Sequence, residues 1–107
     1  MIDITSEINR LSDKYGEDFN WGIVPKENGF VDELKKETDI SRYNIVVAVA
    51  RCYSCDDVLF LFDNGVYRIY HLAYSTNHAN GFPRYTEFFD SQKVIEFIEQ
   101  KYIEEYL

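Results

Sequence analysis

The spacing of apolar positions changes along the chain, and the changes mark out its elements. Ile4, Ile8, Leu11 and Tyr15 recur at the spacing of one helix face, with Asp3 and Thr5 available as caps and Gly16 placed to end the run. This predicts a helix over residues 4–15. In "EDFNWGIVPKENG" the pattern breaks: Gly22, Pro25 and Gly29 interrupt Phe19, Trp21 and Ile23, so the stretch reads as an irregular connection anchored by its aromatics. Helical spacing returns in "FVDELKKE", where Phe30 and Leu34 share a face and Asp32, Glu33, Lys35 and Lys36 lie largely outside it. The segment "TDISRYN" then marks a turn.

From Ile45 the character changes. "IVVAVARC", residues 45–52, is apolar and β-branched without polar alternation until Arg51, as expected of a strand covered on both faces. A second such strand runs from Asp57 to Phe62, joined to the first through "YSCD". "DNG" at 63–65 is a hairpin signal, because Asn and Gly tolerate the positive φ of a tight primed turn. The third strand starts at Val66 and alternates: Val66, Arg68, Tyr70, Leu72 and Tyr74 on one face, Tyr67, Ile69, His71 and Ala73 on the other. Arg68 implies that its face is the more open to water. "TNHANGFPRY" reads as a loop. A last helix follows Asp90 or Ser91, with Val94, Ile95, Ile98, Tyr102 and Tyr106 as its apolar stripe.

The order is α-α-β-β-β-α, an α+β fold in which a three-stranded or larger antiparallel meander carries N-terminal helices and a C-terminal helix. Helices on one face leave the second face of the apolar strands to be covered by aromatic loops or by a partner. At 107 residues the chain forms a single domain, 1–107. Nine Tyr and eight Phe supply enough large side chains to build its core without a metal or a disulfide.

Charge narrows the partners. Eleven Lys and Arg against 19 Asp and Glu give a net charge of −8, which repels phosphate backbones and argues against direct nucleic-acid binding. The same charge favours encounter with basic proteins. The first residues lack the pattern of a signal peptide, and "IVVAVA" is too short to cross a bilayer, so a cytoplasmic protein without a membrane partner is expected.

Cys52 and Cys55 with His71 and His78 supply zinc-ligand types, but the spacing C-x2-C-x15-H-x6-H departs from the usual histidine interval. Redox use is disfavoured by Asp56 and Asp57, whose charge raises a neighbouring thiol pKa. The economical reading is that "CYSC" ends one strand and turns into the next, with no metal and no cofactor. His71 beside a carboxylate of the 56–57 pair is the constellation an acid–base enzyme would use, although no G-x-S-x-G, H-E-x-x-H or phosphate loop accompanies it. A small enzyme or zinc-binding regulator using Cys52, Cys55 and His71 is thus the alternative to a non-catalytic binding protein.

Residues 56–89 carry a further pattern. An acidic pair opens a hydrophobic strand, a tight turn follows, the next strand ends in His71, Leu72, Ala73 and Tyr74, and Phe82, Pro83 and Tyr85 precede the closing helix. This resembles small bacterial immunity proteins of polymorphic or contact-dependent toxin systems. The resemblance implies an inhibitor that occupies the active-site cleft, or a nearby surface, of a partner toxin, which is expected to be a basic domain. Its contact residues would be Asp56 and Asp57, Tyr70 and Tyr74, and His78, Arg84 and Tyr85 of the loop. An exposed strand edge leaves a homodimer open as well.

Overall fold

The computed structural model describes residues 3–16, 19–24, 29–54, 56–72 and 84–106. Their element order is α1 (Ile4–Tyr15), β1 (Trp21–Ile23), α2 (Phe30–Glu37), β2 (Val46–Cys52), β3 (Asp57–Phe62), β4 (Tyr67–His71), β5 (Arg84–Phe88) and α3 (Ser91–Tyr106). The α+β class and the antiparallel meander stand, but the order α-α-β-β-β-α does not. Two strands were hidden in stretches that look like loops: β1 between the first two helices, and β5 at the end of the Gly- and Pro-containing segment. All five strands lie in sequence order, β1-β2-β3-β4-β5.

Local chemistry sets the helix ends. Asp3 accepts from the Thr5 N–H at 3.2 Å and the Ser6 hydroxyl at 2.8 Å, supplying acceptors where the helix cannot. Asp90 does the same for α3, accepting from the Lys93 N–H at 2.9 Å. Between β3 and β4 the loop holds three residues. Phe62 N–H donates to Val66 O at 3.0 Å, Gly65 N–H donates to Phe62 O at 2.9 Å, and Gly65 takes the left-handed φ of 82°. The turn is therefore one residue longer than a two-residue primed hairpin.

The helices divide between the two faces of the sheet. Ile4, Ile8 and Leu11 of α1 and Val94, Ile95, Ile98 and Tyr102 of α3 pack with Trp21, Ala50, Cys52, Leu59 and Ile69. On the opposite face Leu34 of α2 is buried with Ala48, Val58, Phe60, Phe62, Tyr70 and Leu72. Among the described residues, α2 supplies cover on this second face. A bulge at Val49 makes this possible: Ala48 pairs with Phe60 while Ala50 pairs with Leu59, so one extra residue transfers β2 from one face to the other. Val46 and Ala48 serve the α2 side, Ala50 and Cys52 the α1/α3 side. That face change explains an apolar run without alternation.

Arg68 corrects the expectation that its face is open to water. It is 9% exposed, on the α2 side of β4. Its Nε donates to Glu87 Oε2 at 2.7 Å, Nη1 to the Tyr70 hydroxyl at 2.8 Å and Nη2 to the Tyr43 hydroxyl at 3.1 Å. The rings of Tyr85, Phe62 and Tyr43 lie 4.6, 5.0 and 5.7 Å from the guanidinium carbon. Burial alone would lower the Arg68 pKa, but the hydrogen bonds to Tyr70 and Glu87 raise it above its ordinary value. No helix among the described residues is long and apolar enough to cross a membrane.

Candidate protein-binding surface

The sheet brings several of the sequence-predicted residues to one end. Asp57 opens β3, His71 closes β4 and Arg84 opens β5, and the ladder pairs Asp57 with His71 and His71 with Arg84. Strand pairing alone therefore collects side chains separated by up to 27 positions. Asp57 Oδ1 lies 2.8 Å from His71 Nδ1. Lys101 and Phe97 of α3, with Ile69 and Thr86 of the sheet, complete a shallow pocket of about 300 Å3 around this row. Asp56 is exposed beside it, and its carbonyl accepts from the Leu72 N–H at 3.0 Å, extending the β3–β4 pairing by one step.

Of the two predicted contact tyrosines among the described residues, Tyr85 also lines this pocket, whereas Tyr70 is placed otherwise. Tyr70 is 2% exposed, so it offers no contact surface; its ring packs edge-on against Phe60 at 5.8 Å and its hydroxyl serves Arg68. Burial pushes the Tyr70 phenol pKa up, with the neighbouring guanidinium acting in the opposite direction. Tyr85 is half exposed, with its ring 4.9 Å from that of Tyr70, and it extends the buried cluster to the surface on the α2 side. Tyr74, His78 and Cys55 lie outside the described residues.

No protein-family model, curated protein or solved structure matches the chain.

Aspartate and histidine stand as neighbours, and the side chains around them in the pocket are a threonine, a tyrosine, two cations and apolar groups. The pair is partly open to water, with side-chain exposures of 28% for Asp57 and 50% for His71. Such a mixed-charge rim suits recognition: each charged group is held by a strand or helix and can exchange its neighbour for a partner's group.

The cysteine alternative meets a geometric obstacle. Cys52 is buried, its Sγ receiving the Asn20 amide at 3.6 Å and lying 3.3 Å from the Ser54 hydroxyl. β3 separates the strands that carry Cys52 and His71, a gap of two strand spacings, or about 10 Å. Neither side chain is engaged with the other here: Cys52 Sγ lies against Asn20 and Ser54, and His71 Nδ1 against Asp57. Among the described residues no three His, Cys, Asp or Glu side chains are grouped to hold a metal.

Sequence reasoning missed Lys101, Thr86 and Phe97 in this pocket. Phe97 had a signal: it is a large apolar residue beside the Val94, Ile95, Ile98 and Tyr102 stripe, where a solvated helix face has no need of one. Lys101 and Thr86 carried none.

Proposed function

We propose that the chain is a non-catalytic binding protein, an immunity protein or inhibitor that neutralises a partner toxin in the cytoplasm. The observation that supports this best is the gathering of Asp56, Asp57 and Arg84 at one end of the sheet, on strands whose positions the core holds rigid. Presentation on rigid strands keeps the entropy cost of binding small. His71 and Lys101 make the patch mixed in charge rather than purely acidic. In this reading the overall charge of −8 steers a basic partner in, and the local alternation of signs sets its register.

Titration of the purified chain against the product of a toxin gene found adjacent to its own tests the reading. The expected result is a stoichiometric complex that abolishes toxicity, with Asp56→Lys and Asp57→Lys together weakening it at least tenfold, about 1.4 kcal/mol. A complex whose affinity and association rate are both unmoved by this double reversal overturns the contact surface. Absence of any complex with that toxin overturns the inhibitor itself.

A further inference from the structure

β5 is the last strand of the sheet, and its outer edge pairs with no other strand among the described residues. Which backbone groups it presents follows from the ladder. Phe62 N–H donates to Val66 O and Leu72 N–H to Asp56 O, each at 3.0 Å, so the even-numbered residues of β4 exchange hydrogen bonds with β3. Tyr67, Ile69 and His71 are turned the other way, towards their partners Phe88, Thr86 and Arg84. Tyr85 and Glu87 are left with N–H and C=O directed away from the sheet. Side-chain contacts agree, because non-hydrogen-bonded pairs approach more closely: they are Arg68 with Glu87 at 2.7 Å, and Tyr70 with Tyr85 at 4.9 Å between ring centroids.

Beside the end of this edge an open groove of about 720 Å3 runs between β5 and α3. Phe88, Phe89 and Phe97 line it, and Phe89 is 76% exposed. Glu87, Asp90 and Glu96 stand around it against the single cation Lys93. Among the described residues the surface therefore combines outward strand donors and acceptors with no strand opposite them, an aromatic floor and an acidic rim.

We infer that this edge receives a strand from the partner. An extended segment laid along Tyr85–Phe88 becomes the sixth strand of the sheet, with an apolar side chain on Phe88, Phe89 and Phe97 and a basic one at the acidic rim. Backbone hydrogen bonds supply affinity and the groove supplies selectivity. The inference rests on the reading of the chain as a protein-binding module and names how it binds. A second copy is a poorer occupant. Antiparallel self-pairing about Thr86 sets Tyr85 opposite Glu87 and Arg84 opposite Phe88, which matches no charges, and each copy carries −8.

The probe is a capped seven-residue peptide of alternating lysine and valine, compared with its fully N-methylated counterpart. Binding of the first is expected to slow amide exchange at Tyr85 and Glu87, while the N-methylated peptide does not bind. Glu87→Pro and Glu87→Ala both lose the carboxylate, but only the proline loses the outward N–H. At an edge position this is a tolerated place for proline. Glu87→Pro is expected to bind the peptide at least tenfold more weakly than Glu87→Ala, and Phe89→Ser to weaken binding in either background.

Equal binding by the two Glu87 variants, or no protection at Tyr85 and Glu87, overturns the inference. So does a dimer in sedimentation that Glu87→Pro dissociates, since the occupant is then a second copy. If Glu87→Pro does not fold, the exchange data and the N-methylated peptide decide alone. Neutralisation of the toxin by both Glu87 variants alike leaves the inhibitor standing and removes the edge; peptide binding without a toxin complex does the reverse.

Discussion

Arg68 and Glu87 face each other across β4 and β5 with Nε and Oε2 2.7 Å apart, and this pair links the buried α2 side of the sheet to its outer edge. The guanidinium end is nearly sealed from water while the carboxylate end is not, with side-chain exposures of 10% and 31%. The pair thus behaves as a buried cation with a solvated lid.

Truncating the buried end should cost far more than truncating the lid. Arg68→Ala removes three hydrogen bonds and a stem packed among aromatic rings, and the urea-unfolding free energy is expected to fall by about 3 kcal/mol. Glu87→Ala leaves both tyrosine hydroxyls in place and should cost only about 1 kcal/mol. Arg68→Lys should recover less than half of the loss, because an ammonium cannot match the planar fork. Equal costs for Arg68→Ala and Glu87→Ala would contradict the asymmetry.

Glu99 predicts an acid-sensitive contact between α1 and α3. Its Oε2 receives Lys14 Nζ at 2.8 Å and the Tyr15 hydroxyl at 2.5 Å, and these hydrogen bonds hold its carboxyl pKa below the usual value. A carboxylate depressed in the folded state contributes stability above its unfolded pKa and loses it as pH falls through the folded one. Wild type should therefore be more stable than Glu99→Gln at pH 7, and urea midpoints should converge as pH is lowered from about 7 to about 3. A gap independent of pH would refute the assignment.

Gly65 holds the β3–β4 hairpin at a φ of 82°. Open space surrounds the place where a Cβ would stand, so the cost of replacement is conformational rather than steric. Gly65→Ala is expected to lower stability by about 1 kcal/mol, and Gly65→Asn by less, as measured by thermal unfolding. Identical melting curves for Gly65→Ala and wild type would show that the turn adopts another form.

Deleting Val49 tests the face change in β2. Without the extra residue, either the part of β2 before the deletion or the part after it slips by one position and turns its side chains to the wrong face. Loss of a cooperative unfolding transition is expected. Val49→Ala, which keeps the backbone count, should unfold cooperatively with only a modest loss. A cooperative deletion variant would show that the bulge is dispensable.

Cys52 should be silent as a nucleophile in the folded chain. It is 3% exposed in the α1/α3 core. In a Cys55→Ser background, reaction with a disulfide reagent should proceed at the rate of unfolding and accelerate only with denaturant. Rapid labelling in native buffer would place the thiol at the surface.

The sequence by itself determined the three helices and the three central strands, because local spacing reports which face of an element meets the core. Ile4, Ile8 and Leu11 announce α1 whatever it packs against, and Val94, Ile95, Ile98 and Tyr102 do the same for α3. It also supplied the nearness of His71 to the 56–57 aspartates as a candidate, since neighbouring strands of a meander must approach. Tertiary structure decided the rest. β1 and β5 are edge strands of three and five residues whose pairing comes from neighbours distant in sequence, and Gly22 and the exposed run 84–87 mask them locally. The Val49 bulge carried β2 from the α2 face to the α1/α3 face, and Tyr43, Phe62 and Tyr85, brought together from separate elements, made Arg68 a buried cation with Tyr70 its partner. Periodicity records how much of a residue is apolar; which layer lies over it depends on where the chain returns, and no local pattern encodes that.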